Sequence, residues 1–433
     1  MATMPGSEAH PGAEETVGAA RSSLDGLRVV DLSSVLAGPY CAQMLGDHGA
    51  TIVKVESPLG DDTRRWGPPF FPDGSSAYFQ AVNRNKQNIC IDLKHPDGKE
   101  LLLRLLEDAD VLIENFKPGT MAAWGLDYPD ISARFPRLIY ARITGYGHDG
   151  PLGGLPGYDA VLQAYSGLMS VNGQAGDQPV RIGVPVVDLA TGMLALSGIL
   201  LALHERQRSG RGQLVDCTLL DTAISLLIPH ASAWMADGRV PARTGSAHPT
   251  IAPYDCFETR TVSIFLSAAN DRQFAAMCDV LGLTELPHDP RFRTNSDRLV
   301  HRTALRQLLS TPFLEQDGRT LSEALRARGV PATLVNNVAE ALSSEQVRVR
   351  EMVVESGAYK GIGVPVKMTR TPGSVRSTPS GRGADTAGVL ASLGLTGAEV
   401  AALVREGVVQ STSDEASPPA GASAPLAPPP QGR

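Results

Sequence analysis

Residues Leu27–Glu56 read LRVVDLSSVLAGPYCAQMLGDHGATIVKVE, and the alternation inside this stretch decides the fold class. LRVVDL is an apolar run of strand length. PYCAQMLGDH has helical spacing, with Pro39 suited to a first turn and Gly49 to a C-cap, and TIVKVE is a second strand. The result is a compact βαβ unit, and the pattern repeats. NICIDL (88–93) predicts a strand, DGKELLLRLLEDA (97–109) a helix opened by Asp97 with Glu100 as its capping-box partner, and DVLIEN (110–115) and RLIYARITG (137–145) two further strands. Strands that are apolar on both faces and alternate with helices imply a parallel sheet covered on both sides: an α/β, doubly wound, Rossmann-like large domain.

Further along the chain, a helix is expected from Asp188 to about Arg206, then strand QLVDCTL (213–219) and a helical stretch over 219–238. The texture then changes. A strand near 261–268 and helical segments at 271–282, 298–310 and 319–328 predict a smaller, inserted α+β domain. VPATLV (330–335) and a final helical segment at 386–406 are expected to rejoin the large domain. The organisation is therefore a mobile N-terminal tail (1–23), the large domain (24–220), the small domain with linkers (221–330), a return to the large domain (331–410) and a disordered Pro/Ala-rich tail (411–433).

Composition narrows the function. With 42% hydrophobic and 20% charged residues among 433, the chain has the make-up of a globular protein. Its 39 basic and 46 acidic residues give a net charge of -7 with no long single-sign run, which argues against nucleic acid as a partner. Five cysteines without a CxxC pair suit a reducing compartment, and the N-terminus has no apolar leader, so a cytoplasmic location is expected. The apolar run Leu189–Leu203 is broken by Thr191, Gly192, Ser197 and Gly198 and falls short of the ~20 residues of a membrane span. It is expected to be a buried helix, with no membrane partner.

Motifs for familiar chemistries are missing. The first loop, SSVLAGPY (33–40), lies where open α/β sheets bind ligands, but it has one glycine and no GxGxxG pattern. Among the nine histidines no HExxH occurs, and GxSxG and GxxxxGK[ST] are absent. Two readings stay open for Asp188: an N-cap of its helix, or a carboxylate kept ionised by the helix dipole and free to act as a nucleophile. Tyr158–Asp159 reads as a helix start. Arg64 and Arg65 in GDDTRRWGPPF (60–70) are either a surface charge cluster or a bidentate clamp for a carboxylate.

The ordered blocks LDGLRVVDLSSVLAGPYCAQMLGDHGATIVKVE (24–56), NRNKQNICIDLKHPDGKELL (83–102), DVLIENFKPG (110–119), ARITGYGHDGP (141–151), PGYDAVLQAYSGLM (156–169), VDLATGM (187–193) and RSGRGQLVDCTLLD (208–221) carry a resemblance. Over roughly 24–370 the chain resembles the class III CoA-transferases, the family of formyl-CoA:oxalate and carnitine CoA-transferases. The succinyl-CoA:glutarate (hydroxymethylglutarate) type is the nearer likeness. The resemblance implies transfer of CoA from an acyl-CoA donor, succinyl-CoA in that subfamily, to a small carboxylic or dicarboxylic acid, with coenzyme A as substrate and no permanently bound cofactor. It implies Asp188 as the nucleophile. CoA contacts fall on Val35, Leu36, Ala37, Ser57, Ile91, Lys94, Asn115, Phe116 and Ala123. Tyr158 and Asp159 fall at the reacting end, and Arg64, Arg65 or His248 would hold the acid. An interlocked homodimer is also implied.

Several positions depart from the family pattern. Ser57 and Ala123 stand where relatives carry basic residues, and GRGADT around 383–386 replaces LGxHT. GSAHPT (245–250) takes the place of a glycine-rich flap. Gly157-Tyr158-Asp159 stands where related racemases carry GHD. The alternatives are therefore an α-methylacyl-CoA racemase-type isomerase, which lacks its histidine here, and a non-catalytic acyl-CoA-binding protein.

Overall fold

The computed structural model describes residues 22–411, so the tails expected at 1–23 and 411–433 lie almost wholly outside the described residues. These residues form two units, one of 22–35, 41–113 and 363–411 and the other of 36–40 and 114–362.

The first unit opens with β1 (Arg28–Asp31), α1 (Ala37–Asp47, its first turn in the second unit), β2 (Thr51–Glu56), α2 (Ala77–Ala81), β3 (Lys86–Ile91), α3 (Pro96–Leu106) and β4 (Val111–Glu114, its last residue in the second unit). The strands run parallel in the order β3-β2-β1-β4. Val29, Val30, Ile52, Val55, Ile89, Ile91 and Val111–Ile113 are each no more than 5% exposed, as strands covered on both faces require. The order reverses between β1 and β4, so their carboxyl ends flank the crevice where such sheets bind ligands. Gly49, at φ +111°, lets the Ala50 N–H bond back to the Leu45 carbonyl and closes α1. The start of α3 differs from expectation. His95, not Asp97, caps it, its Nδ1 accepting the Asp97 N–H at 3.2 Å, because Pro96 is preset for the first helical position.

The second unit continues with α4 (Thr120–Trp124), α5 (Tyr128–Arg134), β5 (Ile139–Thr144), α6 (Asp159–Ser166), α7 (Leu168–Val171), α8 (Val186–Ser209), β6 (Leu214–Thr218), α9 (Leu219–Ser225) and α10 (Ile228–Asp237). β5 and β6 pair in parallel. The single helix expected over 219–238 is bent by 67° between α9 and α10, where Pro229 starts a new helix. α8 also differs from expectation. It spans 24 residues, and its most apolar window has a mean hydropathy of 2.1, enough by length and composition to cross a membrane. Only a third of that window is buried, and Met193, Leu194, Leu200 and Leu201 are exposed, so the helix is not the buried one anticipated.

Gly192 allows α8 to meet the first turn of α1, since a Cβ there would lie 2.6 Å from the Ala37 carbonyl oxygen. Gly192→Ala should therefore destabilise the fold by about 1–3 kcal/mol through overpacking. Urea unfolding measures this, and an unchanged midpoint would refute the contact.

Next come β7 (Tyr254–Phe257), β8 (Ile264–Ser267), α11 (Asp271–Val280), α12 (Asn295–Val300), α13 (Arg302–Leu314), α14 (Gly318–Ala327), β9 (Ala332–Leu334), α15 (Val338–Leu342), α16 (Glu345–Val349) and the hairpin β10 (Val353–Ser356) and β11 (Tyr359–Ile362). β7, β8 and β9 form an antiparallel sheet packed on Phe274, Met277, Leu309 and Phe313. The strand expected to carry 330–335 back to the large domain instead pairs with β8, Leu266 opposite Ala332.

The chain re-enters the first unit with α17 (Thr386–Ser392), α18 (Gly397–Arg405) and β12 (Val409–Gln410), which lies antiparallel to β3 and makes the sheet mixed. Residues 383–386 cover the same edge. The Asn88 N–H donates to Asp385 Oδ2 at 2.7 Å, the Cys90 N–H to Thr386 Oγ1 at 3.1 Å, and the Gly383 N–H to Asn88 Oδ1 at 2.7 Å.

Candidate active site

Asp188 lies in the first turn of α8, but it does not cap the helix. Pro185 occupies the cap position, and no side-chain cap bond forms there. The missing acceptor comes from Asp159, the first residue of α6. Its Oδ2 accepts the Val187 N–H at 2.8 Å and the Asp188 N–H at 3.1 Å, while its Oδ1 takes Gln163 Nε2 at 2.5 Å. A carboxylate at a helix N-terminus satisfies backbone donors and complements the dipole, so Asp159 does what Asp188 was expected to do. The Asp188 carboxyl, half-buried, is left for other use. Burial, followed by the nearby Asp159 charge, pushes it up to about 7. That upward shift runs against the expectation of a readily ionised carboxylate, with desolvation as its first cause. Tyr158, beside this pair, is 63% exposed.

The first loop is built on a buried charge network that sequence reading missed. Val35 has φ +69°, in the left-handed region, and its N–H donates to Asp61 Oδ1 at 3.4 Å. Lys54 Nζ, from β2, donates to the Ser33 carbonyl at 2.7 Å and to Asp61 Oδ2 at 3.2 Å. Lys86 Nζ, from β3, pairs with Asp31 Oδ2 at 3.0 Å. Burial opposes charge on Lys54, but Asp31, Asp61 and Glu56 outweigh it and hold the ammonium above its usual value. For Lys86 burial wins over the Asp31 attraction and lowers it to about 8. The signal was present for Lys54, a lysine inside the apolar run TIVKVE that must find a carboxylate if it is buried, whereas Lys86 opens β3 ahead of the polar Gln87 and Asn88 and gave none. Leu36 and Ala37 are buried, so their peptide groups rather than their side chains are what the loop offers.

The arginine clamp is corrected. Arg64 is already held by Glu56, with Nε on Oε2 at 2.8 Å and Nη2 on Oε1 at 2.7 Å, and its guanidinium lies 3.7 Å from the Phe79 ring centroid. The carboxylate it grips belongs to the protein. Arg65 is exposed and paired with Asp62 at 2.7 Å. His248 stacks on Tyr254 at 4.9 Å, and burial, then the Arg302 and His230 charges, lower its pKa. Segment 245–250, expected as a flap, is tied by several bonds. The Gly245 N–H donates to the Gly173 carbonyl, Arg302 Nη2 to the His248 carbonyl and Asn295 Nδ2 to the Thr250 carbonyl.

The other expected CoA contacts are scattered over both units. Ser57 is exposed after β2, its Oγ accepting the Leu59 N–H, and Lys94 is exposed after β3. Ile91 is 1% exposed, so its side chain packs in the interior and cannot face a ligand. Asn115 and Phe116 are half-buried at the end of β4, with Phe116 edge-on to Trp124 at 5.3 Å, and Ala123 is exposed on α4. Sequence reading also missed Glu114 beneath them. It accepts the Phe116 N–H at 2.9 Å, and burial pushes its carboxyl up to about 7.

Comparison with known proteins places this geometry. The sequence model of CoA-transferase family III matches residues 24–386. The succinate–glutarate CoA-transferase of Agrobacterium fabrum is 42% identical over 362 residues, 82% of this chain and 90% of that protein. The acetyl-CoA:oxalate CoA-transferase of Acetobacter aceti is 38% identical over 358 residues, 82% of this chain and 92% of that protein. The crystal structure of a CAIB/BAIF family protein from Brucella suis, 40% identical, superposes with a TM-score of 0.80 over 86% of this chain and all of that one. The chain therefore belongs to CoA-transferase family III.

Proposed function

We propose that this enzyme moves CoA from succinyl-CoA to a second dicarboxylic acid, with Asp188 as nucleophile. The observation that carries the reading is the Asp188 carboxyl itself, in the first turn of α8 with its capping duty taken over by Asp159. The succinate and glutarate named for the Agrobacterium relative, and the succinyl-CoA and glutarate named for the Mus musculus relative, support the choice of substrates.

An Asp188 oxygen attacks the succinyl carbonyl carbon. The C–S bond breaks, giving a mixed anhydride and CoA thiolate. The thiolate attacks the Asp188 carbonyl carbon, which forms an enzyme–CoA thioester and releases succinate. The acceptor carboxylate attacks that thioester, forms a second anhydride and frees the thiolate. Attack of the thiolate on the acceptor's acyl carbon gives the product thioester and restores Asp188. Each addition puts charge on an acyl oxygen, for which fixed peptide N–H groups are the appropriate donors.

Incubation with succinyl-CoA and a panel of acids (glutarate, malate, itaconate), followed by chromatography of the CoA esters, tests the reading. At least one new dicarboxyl-CoA is expected, and hydroxylamine should label the peptide containing residue 188. A label elsewhere would sink the nucleophile.

The same reading assigns a homodimer. Apolar side chains project from α8 and α10, with Leu201 70% and Met235 75% exposed, and a partner subunit would cover them. Sedimentation showing a monomer at micromolar concentration would contradict it.

A further inference from the structure

We infer that Lys54 and Asp61 form a buried clamp that fixes the backbone of residues 33–35 for acyl-CoA, which makes both of them positioning residues. This rests on the reading that the first loop touches CoA.

The clamp holds the loop on both sides of Ser34. Lys54 Nζ grips the Ser33 carbonyl at 2.7 Å, Asp61 Oδ1 takes the Val35 N–H at 3.4 Å, and the two side chains pair at 3.2 Å with each only 1% exposed. Asp61 is itself fixed. Its Oδ1 accepts the Thr63 N–H at 3.0 Å and the Thr63 hydroxyl at 2.7 Å, and its own N–H donates to Glu56 Oε2 at 2.8 Å. On the strand side, the Ser33 N–H and hydroxyl both donate to Asp31, which Lys86 holds.

Two physical points give this arrangement a purpose. A β-branched residue at φ +69° is disfavoured, and such a conformation persists only where its surroundings impose it. A buried ion pair is also a poor source of stability, because well-packed apolar side chains in its place do as well or better. An apolar pair, however, has no way to hold a carbonyl and an N–H two residues apart. What the ion pair adds is the loop's shape.

The test is a double-mutant cycle on CoA binding, read by calorimetry with free CoA, together with steady-state kinetics. Asp61→Asn, with an amide facing Lys54, is expected to weaken CoA binding about tenfold and to raise KM for succinyl-CoA in step, while kcat stays within about threefold. In a Val35→Gly background, where the left-handed conformation no longer needs imposing, the same substitution should cost less than about threefold. Undiminished, additive effects would overturn the clamp, as would an Asp61→Asn protein that binds CoA like the wild type. If Asp61→Asn does not fold, hydrogen exchange of the wild-type protein decides. The Val35 amide must exchange far more slowly than an open loop, and exchange at the free-loop rate overturns the proposal. Wild-type protein that binds no CoA would instead defeat the underlying reading. Wild-type binding with an indifferent variant defeats the clamp alone.

Discussion

Asp188→Ala is expected to lower kcat for CoA transfer by about 10⁴-fold or more, the scale seen when a covalent nucleophile is removed. Conversion of succinyl-CoA to a second thioester, followed over hours, measures it, and residual turnover within tenfold of wild type would reject the role. Asp188→Asn adds a stability readout that loss of activity alone does not give. The native carboxyl titrates at about 7 against 3.8 for a free aspartate side chain. Between those pH values the native state holds a proton that the unfolded chain has already released, so stability falls as pH rises through the window, and the loss is complete above about 7. Asparagine never ionises and escapes that loss. The variant should melt above wild type at pH 8, with the gap closing toward pH 4. A gain of 1 kcal/mol raises Tm by roughly 2–4 °C in chains of 150–250 residues and by less in a longer one. Identical melting curves at every pH would show that the carboxyl is not strained by its site.

Asp159→Ala should be nearly as damaging. The N–H groups of Val187, buried, and Asp188, half-buried, lose their acceptor, at about 0.5–2 kcal/mol for the cap. The first turn of α8 then frays, and a displacement of about 1 Å in the nucleophile is enough to lower kcat about 100-fold. Asp159→Asn separates geometry from charge. It keeps an oxygen facing the helix but removes the like charge that helps raise Asp188. The rising limb of the kcat/KM profile should therefore move to lower pH. A limb that stays in place, or moves to higher pH, would contradict the coupling.

The alternation of β1 to β6 with helices was legible because each strand holds a short run of apolar residues and α1, α3 and α8 between them have helical spacing. β7 was not, since YDCF (254–257) is four residues long and one of them is charged. The pairing of β9 depends on a partner near residue 266, and nothing in VPATLV names it. At the site, Asp188 and Asp159 stood out as residues, but their division of labour did not. The bond from Val187 to Asp159 joins positions 28 apart, and a sequence shows no such distance. Gln163, four residues after Asp159 on the same helix, was the one local hint. The Arg64 clamp failed for the same reason, because the competitor, Glu56, sits eight residues earlier, at the end of a strand. Buried side chains such as Ile91 show the limit of transfer by resemblance: a motif fixes where the backbone runs, and packing decides whether a side chain can be touched.

The cover over the outer edge of β3 has a consequence during synthesis. β12 reaches Cys90 and Ile91 from residues 409–410, some 320 positions downstream, and the bonds from 383–386 arrive scarcely earlier. At 5–20 residues per second, the ribosome leaves that strand's row of peptide groups uncapped for roughly 15–65 s. An open edge is a template for pairing with another nascent chain. A stop codon placed before residue 383 would therefore make that vulnerability permanent: the truncated chain would keep its nucleophile and its clamp, and yield would fall through association of unfinished sheets on crowded polysomes.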